Sequence, residues 1–345
     1  MTYLVGGDYL HKVDRLLFLQ CKYLKNDTDL TILTHVVWYD GAPTSLKETQ
    51  TTGVPMDLSY EQRPRLDYPI IAFIGLAHIL AILALPLVSI PALVAFFCFY
   101  GVTVLGVTMG YHRYFTHRSF EAHPLLTYGL AICGTLALQG SIRDWVSHHR
   151  LHHAGSDTER DPHDASRGFW YAHVLWLFAV DPDIDDPTMR NRLCRDIDAD
   201  PILRFLSRPS TIFGLQLALG LTLWGLWGFE AMMWGVWVRL VAVWHVTWFV
   251  NSACHKFGYK NFDCGDLSTN CWWVALLSFG EGWHNNHHGV QSSARHGLRW
   301  WEFDITWQFI RLGEVLGLIT KVKEASLPEA DDVCLPEELN AVARA

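Results

Sequence analysis

Two pairs of apolar runs set the frame of the chain. Residues 69–90 are apolar apart from His78, and residues 91–111 are apolar again. Each run is about 20 residues, enough at 1.5 Å per residue to cross a hydrocarbon layer of about 30 Å. Pro86 and Pro91 mark a turn between them. Residues 211–229 and 231–251 form a second pair, broken only near Glu230. The pattern predicts an all-α integral membrane protein with four transmembrane helices in two hairpins. A fifth apolar run, residues 124–141, is about 18 residues long and could cross once. It lies between polar stretches that must share one side of the bilayer if they build one site, so it is expected to be re-entrant or interfacial.

The polar segments complete the layout. Residues 1–64 form a mixed N-terminal extension. Within it Val13–Leu24 reads as a short surface amphipathic helix or as part of a soluble or poorly ordered extension. Residues 65–325 form the membrane domain, and residues 326–345 an acidic tail. The long connection Arg143–Arg208 is expected to cap the bundle, with Asp181, Asp183, Asp185 and Asp186 as a solvated face. The loops near 86–91 and 229–235 hold no Lys or Arg, whereas the long connections do, which places those connections in the cytosol or a plastid stroma. Arg239 falls about 24 Å along a helix from His255, near the far leaflet, and is expected to snorkel. His245 is ambiguous. Trp300, Trp301 and Trp307 suggest an interfacial belt.

Composition agrees with a membrane setting. The 345 residues are 50% hydrophobic and 18% charged, with 16 Trp. A net charge of −8 excludes a nucleic-acid partner. The eight Cys show no CxxC spacing and read as small apolar residues in a reducing compartment.

Histidine carries the candidate chemistry. His149, His152 and His153 stand at i, i+3 and i+4, on one helical face. His284, His287 and His288 repeat that spacing. His112 and His117 form a pair at i, i+5, and Asn251 and His255 a pair at i, i+4. Nine of the 18 histidines thus fall in four clusters. Imidazole suits Fe, Zn, Cu or Ni. Nine are too many for one ion and suit two. The predicted architecture is four spans with a cytosolic helical cap holding a di-metal site. A redox metal pair at the water–hydrocarbon boundary suits O₂ activation against a C–H bond of an apolar chain.

In this order, the clusters resemble the membrane fatty acyl desaturases of the delta-9 type over roughly residues 65–325. The resemblance lies in Gly110-Tyr111-His112-Arg113, Thr116-His117-Arg118-Ser119-Phe120, the His149 triad, Asp161-Pro162-His163, Arg167-Gly168-Phe169, Asn251 to His255, Gly265-Asp266 and Gly280 to His288. It implies an O₂-dependent desaturase that inserts a cis double bond into a saturated long-chain acyl-CoA or acyl-lipid. A di-iron centre would be held by His112, His117, His149, His152, His153, His255, His284, His287 and His288, with Asn251 joining through a water. The i, i+5 spacing leaves His117 about 140° from His112 on an ideal helix, so its place is the least defined by spacing. Trp145, Asp161, His163, Arg167 and His173 would shape the substrate mouth; His148 and His296 remain second-shell or structural. The implied partners are O₂, membrane lipid and a separate electron donor, a b-type cytochrome or ferredoxin, since no fused cytochrome motif exists. The membrane would be endoplasmic reticulum in a eukaryote, plasma or thylakoid membrane in a bacterium. Two other readings stand: a hydroxylase or desaturase of other regioselectivity, and a divalent-metal transporter, which predicts ligands near mid-membrane.

Overall fold

The computed structural model describes residues 17–26, 29–38, 65–182 and 184–327. The chain divides into two compact units, Met1–Gln62 and Arg63–Ala345. In the first, Leu17–Asn26 and Asp29–Trp38 form an antiparallel hairpin. This replaces the amphipathic helix considered for residues 13–24, of which 13–16 lie outside the described residues. The partner strand explains the difference: Thr31, Ile32, Thr34, Val36 and Val37 are β-branched residues that favour strands, and the pairing runs to Asn26 opposite Asp29.

The second unit is helical. In chain order its helices are α1 (Tyr68–Ala84), α2 (Ile90–Leu105), α3 (Pro124–Thr135) and α4 (Ile142–Ala154), then the short α5 (Phe169–His173), α6 (Pro187–Leu193), α7 (Arg195–Ala199) and α8 (Pro201–Leu206). They continue with α9 (Pro209–Trp227), α10 (Phe229–Met233), α11 (Arg239–Ser252), α12 (Trp272–Leu277), α13 (His284–Gly289) and α14 (Ile305–Val315). Among the described residues, four stretches are long and apolar enough to cross a membrane: Tyr68–Leu87, Ile90–Thr116, Pro209–Trp227 and Phe229–His255. Their starts follow ordinary rules. Asp67 accepts from the Ile70 N–H, Ser89 from the Ala92 N–H, and a proline occupies the first turn of α1, α2 and α9. Ile82, Phe97, Leu217 and Leu226 are exposed. Such residues fit a hydrocarbon solvent and would be a liability in water.

The second and fourth spans run longer than the hydropathy pattern suggested. Residues 106–116 continue α2 as a π-helix, and residues 253–255 extend α11 by a 3₁₀ turn. Both extensions carry histidine out of the apolar zone.

Helix α3 has 12 residues, about 18 Å of rise, too little to cross. It packs on the end of α2 where two glycines meet. A Cβ at Gly106 would lie 2.2 Å from the Gly134 nitrogen, so only glycine permits this approach. Beyond α3 the chain turns through Leu138 (φ 52°) and Gly140 (φ 93°). It re-enters α4 through a capping box between Ser141 and Asp144.

Arg239 departs from expectation. It is fully buried instead of snorkelling, and its guanidinium donates to the carbonyls of Leu136 and Gly235 and to Gln216 Oε1. Gln216 Nε2 donates to the same Leu136 carbonyl. The end of a half-helix inside a bundle presents carbonyls that lipid cannot satisfy, and a buried donor meets that demand. Trp307 also departs from the interfacial reading: it is buried beside Met109, Phe120 and Ile310, while Trp300 and Trp301 are exposed. His245 sits between His78 and His173, with ring nitrogens 3.0 Å from each.

The cap is bound to the bundle by one apolar cluster, in which Tyr111, Phe115, Ala131, Ile142 and Val146 meet Ile197, Leu203 and Leu206. That contact fixes α4, with its triad, against the end of the second span.

Candidate metal centre

Four elements deliver the nine histidines. In the π-helical end of the second span, the His117 N–H bonds the His112 carbonyl at 3.1 Å. This i to i+5 closure stacks residues five apart, so the two rings lie 4.8 Å between centroids. The spacing that would diverge on an α-helix converges on a π-helix. α4 supplies His149, His152 and His153. The 3₁₀ turn after α11 supplies His255, and α13 supplies His284, His287 and His288.

α13 has only six residues and is held by its neighbours. Asn285 Oδ1 accepts from the Asn261 and Phe262 N–H groups. Asn286 bonds Asn261, Asn270, Glu302 and the His296 carbonyl. The two asparagines between the histidines anchor the opposite face of the turn. Gly280 (φ 120°) and Gly282 bring the preceding backbone in close. A Cβ at Gly282 would meet the Ala275 nitrogen at 2.0 Å.

The nine imidazoles fall into two sets, each with its ligand atoms within 4.8 Å of one another. His112, His117, His149, His153 and His287 form one; His152, His255, His284 and His288 form the other. In the four-membered set, His152 Nε2 is 3.2 Å from His288 Nε2, and His255 Nε2 is 3.0 Å from His284 Nε2. In the five-membered set, His287 Nε2 lies 3.0 Å from His112 Nε2 and 2.9 Å from His153 Nε2.

Carboxylates stand behind several rings. His152 Nδ1 donates to Asp161 (2.8 Å), His255 Nδ1 to Asp157 (3.0 Å) and His288 Nδ1 to Asp266 (2.6 Å). His112 Nδ1 donates to Glu281, which Arg113 also holds. A proton on Nδ1 leaves a lone pair on Nε2. The Nε2 atoms of His152 and His288 therefore face each other as two acceptors across 3.2 Å. A cation between them resolves that conflict, so the donor set fits a metal-ion pair.

Burial, reinforced by the neighbouring imidazoles, holds His117, His149, His153, His284 and His287 well below the usual imidazole value. Burial likewise brings His288 to about 4, against the pull of Asp266. All are neutral at pH 7, the state in which imidazole ligates. Burial opposes ionisation of Asp161 and Asp266, yet their histidine partners keep both well below the carboxylate range.

A cavity opens onto both sets. Val104, Val107, Val246 and Val250 line its apolar part; His112, His149 and His284 border it, with Trp145, Thr247, Asn251 and Glu281. Of the five residues expected at a substrate mouth, the cavity lining includes Trp145. Asp161 and His163 stand behind His152, whose ring is 4.3 Å from that of His163. The Arg167 guanidinium lies over the Tyr171 ring, and His173 bonds His245 and Ser252. Asn251 borders the cavity beside His284. His296 packs 4.5 Å from His287, and His148 meets Asp185 at 3.2 Å. Asp157, Asp266 and Glu281 were missed as site residues in the sequence. The available signal was their adjacency to the histidine motifs.

Four membrane-length helices, a helical cap, and two imidazole sets beside an apolar cavity define a membrane metalloenzyme. The profile of the fatty acid desaturase family matches residues 87–311, and the chain belongs to that family. It is 53% identical over 221 residues to the sn-1 stearoyl-lipid 9-desaturase of Anabaena variabilis, covering 64% of this chain and 79% of that protein. It is 47% identical over 272 residues to the protein of the same name from Synechocystis, covering 77% and 84%. The icosanoyl-CoA 5-desaturase of Limnanthes douglasii is 46% identical over 220 residues, covering 64% and 61%. The protein is therefore an oxidoreductase acting on a fatty acyl substrate.

Proposed function

We propose that the protein inserts a cis double bond at the Δ9 position of a saturated, stearoyl-length chain carried on a membrane lipid. The reaction consumes one O₂, two electrons and two protons and releases two waters. A separate b-type cytochrome or ferredoxin supplies the electrons from the face bearing the cap; the charge pattern of the loops supports a cytosolic or stromal location for that face. The observation that carries this reading is the shared border: one apolar cavity touches His112 and His149 of one set and His284 of the other.

Two iron ions, held by the nine histidines with Asn251 reaching one through a water, would supply the C–H oxidising chemistry that side chains lack. The chain's own residues do the rest. Val104, Val107, Val246 and Val250 hold the methylene chain and exclude water. Trp145, fixed by its indole N–H on Gln139, and Thr247, which accepts from Gln139 Nε2, give the cavity one shape. Asp157, Asp161, Asp266 and Glu281 keep their partner imidazoles in the ligating tautomer.

The cap favours a lipid over a CoA thioester. Arg143 is paired with Asp198, Arg150 with Asp196, Arg190 with Asp144, and Arg167 lies on Tyr171. These four cations are poorly placed to receive CoA phosphates, whereas Arg160 and Arg192 have no ion pair among the described residues. The names of the two cyanobacterial relatives support the same choice. The test is reconstitution with iron, a donor system and either stearoyl-lipid or stearoyl-CoA, with products read by mass spectrometry. A Δ9 monoene on the lipid is expected. A hydroxylated product, or product from the CoA ester alone, would overturn the assignment.

A further inference from the structure

The carboxylates behind the two histidine sets are distributed unequally. In the four-membered set three of four rings donate Nδ1–H to an aspartate: His152 to Asp161, His255 to Asp157, His288 to Asp266. None of these aspartates pairs with Lys or Arg among the described ion pairs; backbone N–H groups and Ser268 add further bonds, His163 Nδ1 lies 3.5 Å from Asp161, and Asp157 Oδ1 is buried without a partner. In the five-membered set one ring, His112, has such a partner. That partner, Glu281, accepts two hydrogen bonds from the Arg113 guanidinium at 2.9 and 3.1 Å. The same guanidinium also holds Asp304, so Glu281 shares its counter-charge with a second carboxylate. The Nδ1 atoms of His153 and His287 are buried without a partner, as is that of His284, the fourth ring of the other set.

Resting on the metal-centre reading above, we infer that the four-histidine half of the centre is the tight half, filling first and releasing its ion last. A buried divalent ion must be compensated for lost hydration. The four-membered set offers three formal negative charges through its rings; the five-membered set offers one, from Glu281, whose guanidinium partner Arg113 is shared with Asp304. Each carboxylate also raises the basicity of its imidazole and fixes its orientation, and losing one such support costs about 10–100-fold in metal affinity. Three supports outweigh the one additional imidazole of the larger set. Asp157 and Asp161 both lie in the turn that follows α4, so one short loop braces ligands from two distant elements. Asp157 adopts φ 58°, a conformation that aspartate tolerates better than most residues.

Cobalt(II) alone is the probe. Titrated into purified metal-free protein in detergent, against a competing chelator, it should bind in two classes at least tenfold apart. Asp161→Asn and Asp266→Asn should each weaken the tighter class about 10–100-fold and spare the weaker one. Glu281→Gln should do the reverse. The spared class reports that each variant has folded. Should an aspartate variant fail to fold, His288→Ala and His287→Ala still assign the classes: the first should abolish the tighter, the second the weaker. Two ions bound with indistinguishable affinity, or loss of the tighter class in His287→Ala, would overturn the ordering while leaving the metal centre intact. Wild-type protein that binds no cobalt sinks the metal-centre reading as well.

Discussion

Arg239 of the fourth span donates to the carbonyl of Leu136, at the end of the short apolar helix α3, across 103 positions of sequence. The contact decides how the chain returns from α3 to α4, and hence where the triad of α4 sits. Arg239→Met keeps length and apolar stem but leaves the Gly235 carbonyl without its guanidinium donor and that of Leu136 with Gln216 alone. The expected loss is about 1–3 kcal/mol. Thermal unfolding in detergent checks it, and an unchanged midpoint would show that α3 needs no such anchor.

His152→Ala removes a ligand atom from the four-membered set and leaves Asp161 without its imidazole partner. Desaturation should fall by at least about 100-fold, with bound iron dropping from two ions toward one. Activity retained in a folded variant would contradict the metal role of the set.

Val104 lies eight residues before His112, about 12 Å deeper along the helix. A tryptophan there would fill the far part of the cavity. Val104→Trp should therefore lose activity on stearoyl chains while keeping it on shorter ones. Competition between chain lengths, read by product profile, is the measurement. Equal loss on every length would mean that the chain does not lie along this wall.

Gly282 has no room for a methyl group against the Ala275 backbone. Gly282→Ala must push α12 and α13 apart, costing about 1–3 kcal/mol or more because backbone has to move. The loss should appear as weakened metal retention together with a lower unfolding midpoint. A variant that binds two ions normally would refute the packing argument.

The metal-free protein should be sensitive to acid. Burial, against the pull of Asp161, holds His163 at about 3. Burial and the nearby Arg113 hold His296 at about 4. The unfolded chain takes up protons near pH 6.5 that the folded protein refuses until near 4 or below. Stability should be full above pH 7 and fall as the pH drops through 6.5 toward 4. Thermal midpoints of the metal-free protein between pH 8 and 5 would display the slope; a flat profile would mean that these imidazoles are solvated.

Hydropathy and spacing determined the four spans, the short fifth segment and the nine histidines, because both are local properties. A run of about 20 apolar residues has one stable place, and i, i+3, i+4 positions share a face wherever the helix goes. The tertiary structure decided what local pattern could not encode. It divided the histidines five and four, mixing His287 with the α4 residues 149 and 153 and His288 with 152. It turned the i, i+5 pair into neighbours by winding residues 106–116 as a π-helix. It moved Arg239 from the leaflet edge to a buried carbonyl, and it set Asp161 and His163 against the back of His152. Each of these depends on which partner arrives from elsewhere in the chain, and a charged group in a low-dielectric interior goes where its hydrogen bonds are satisfied.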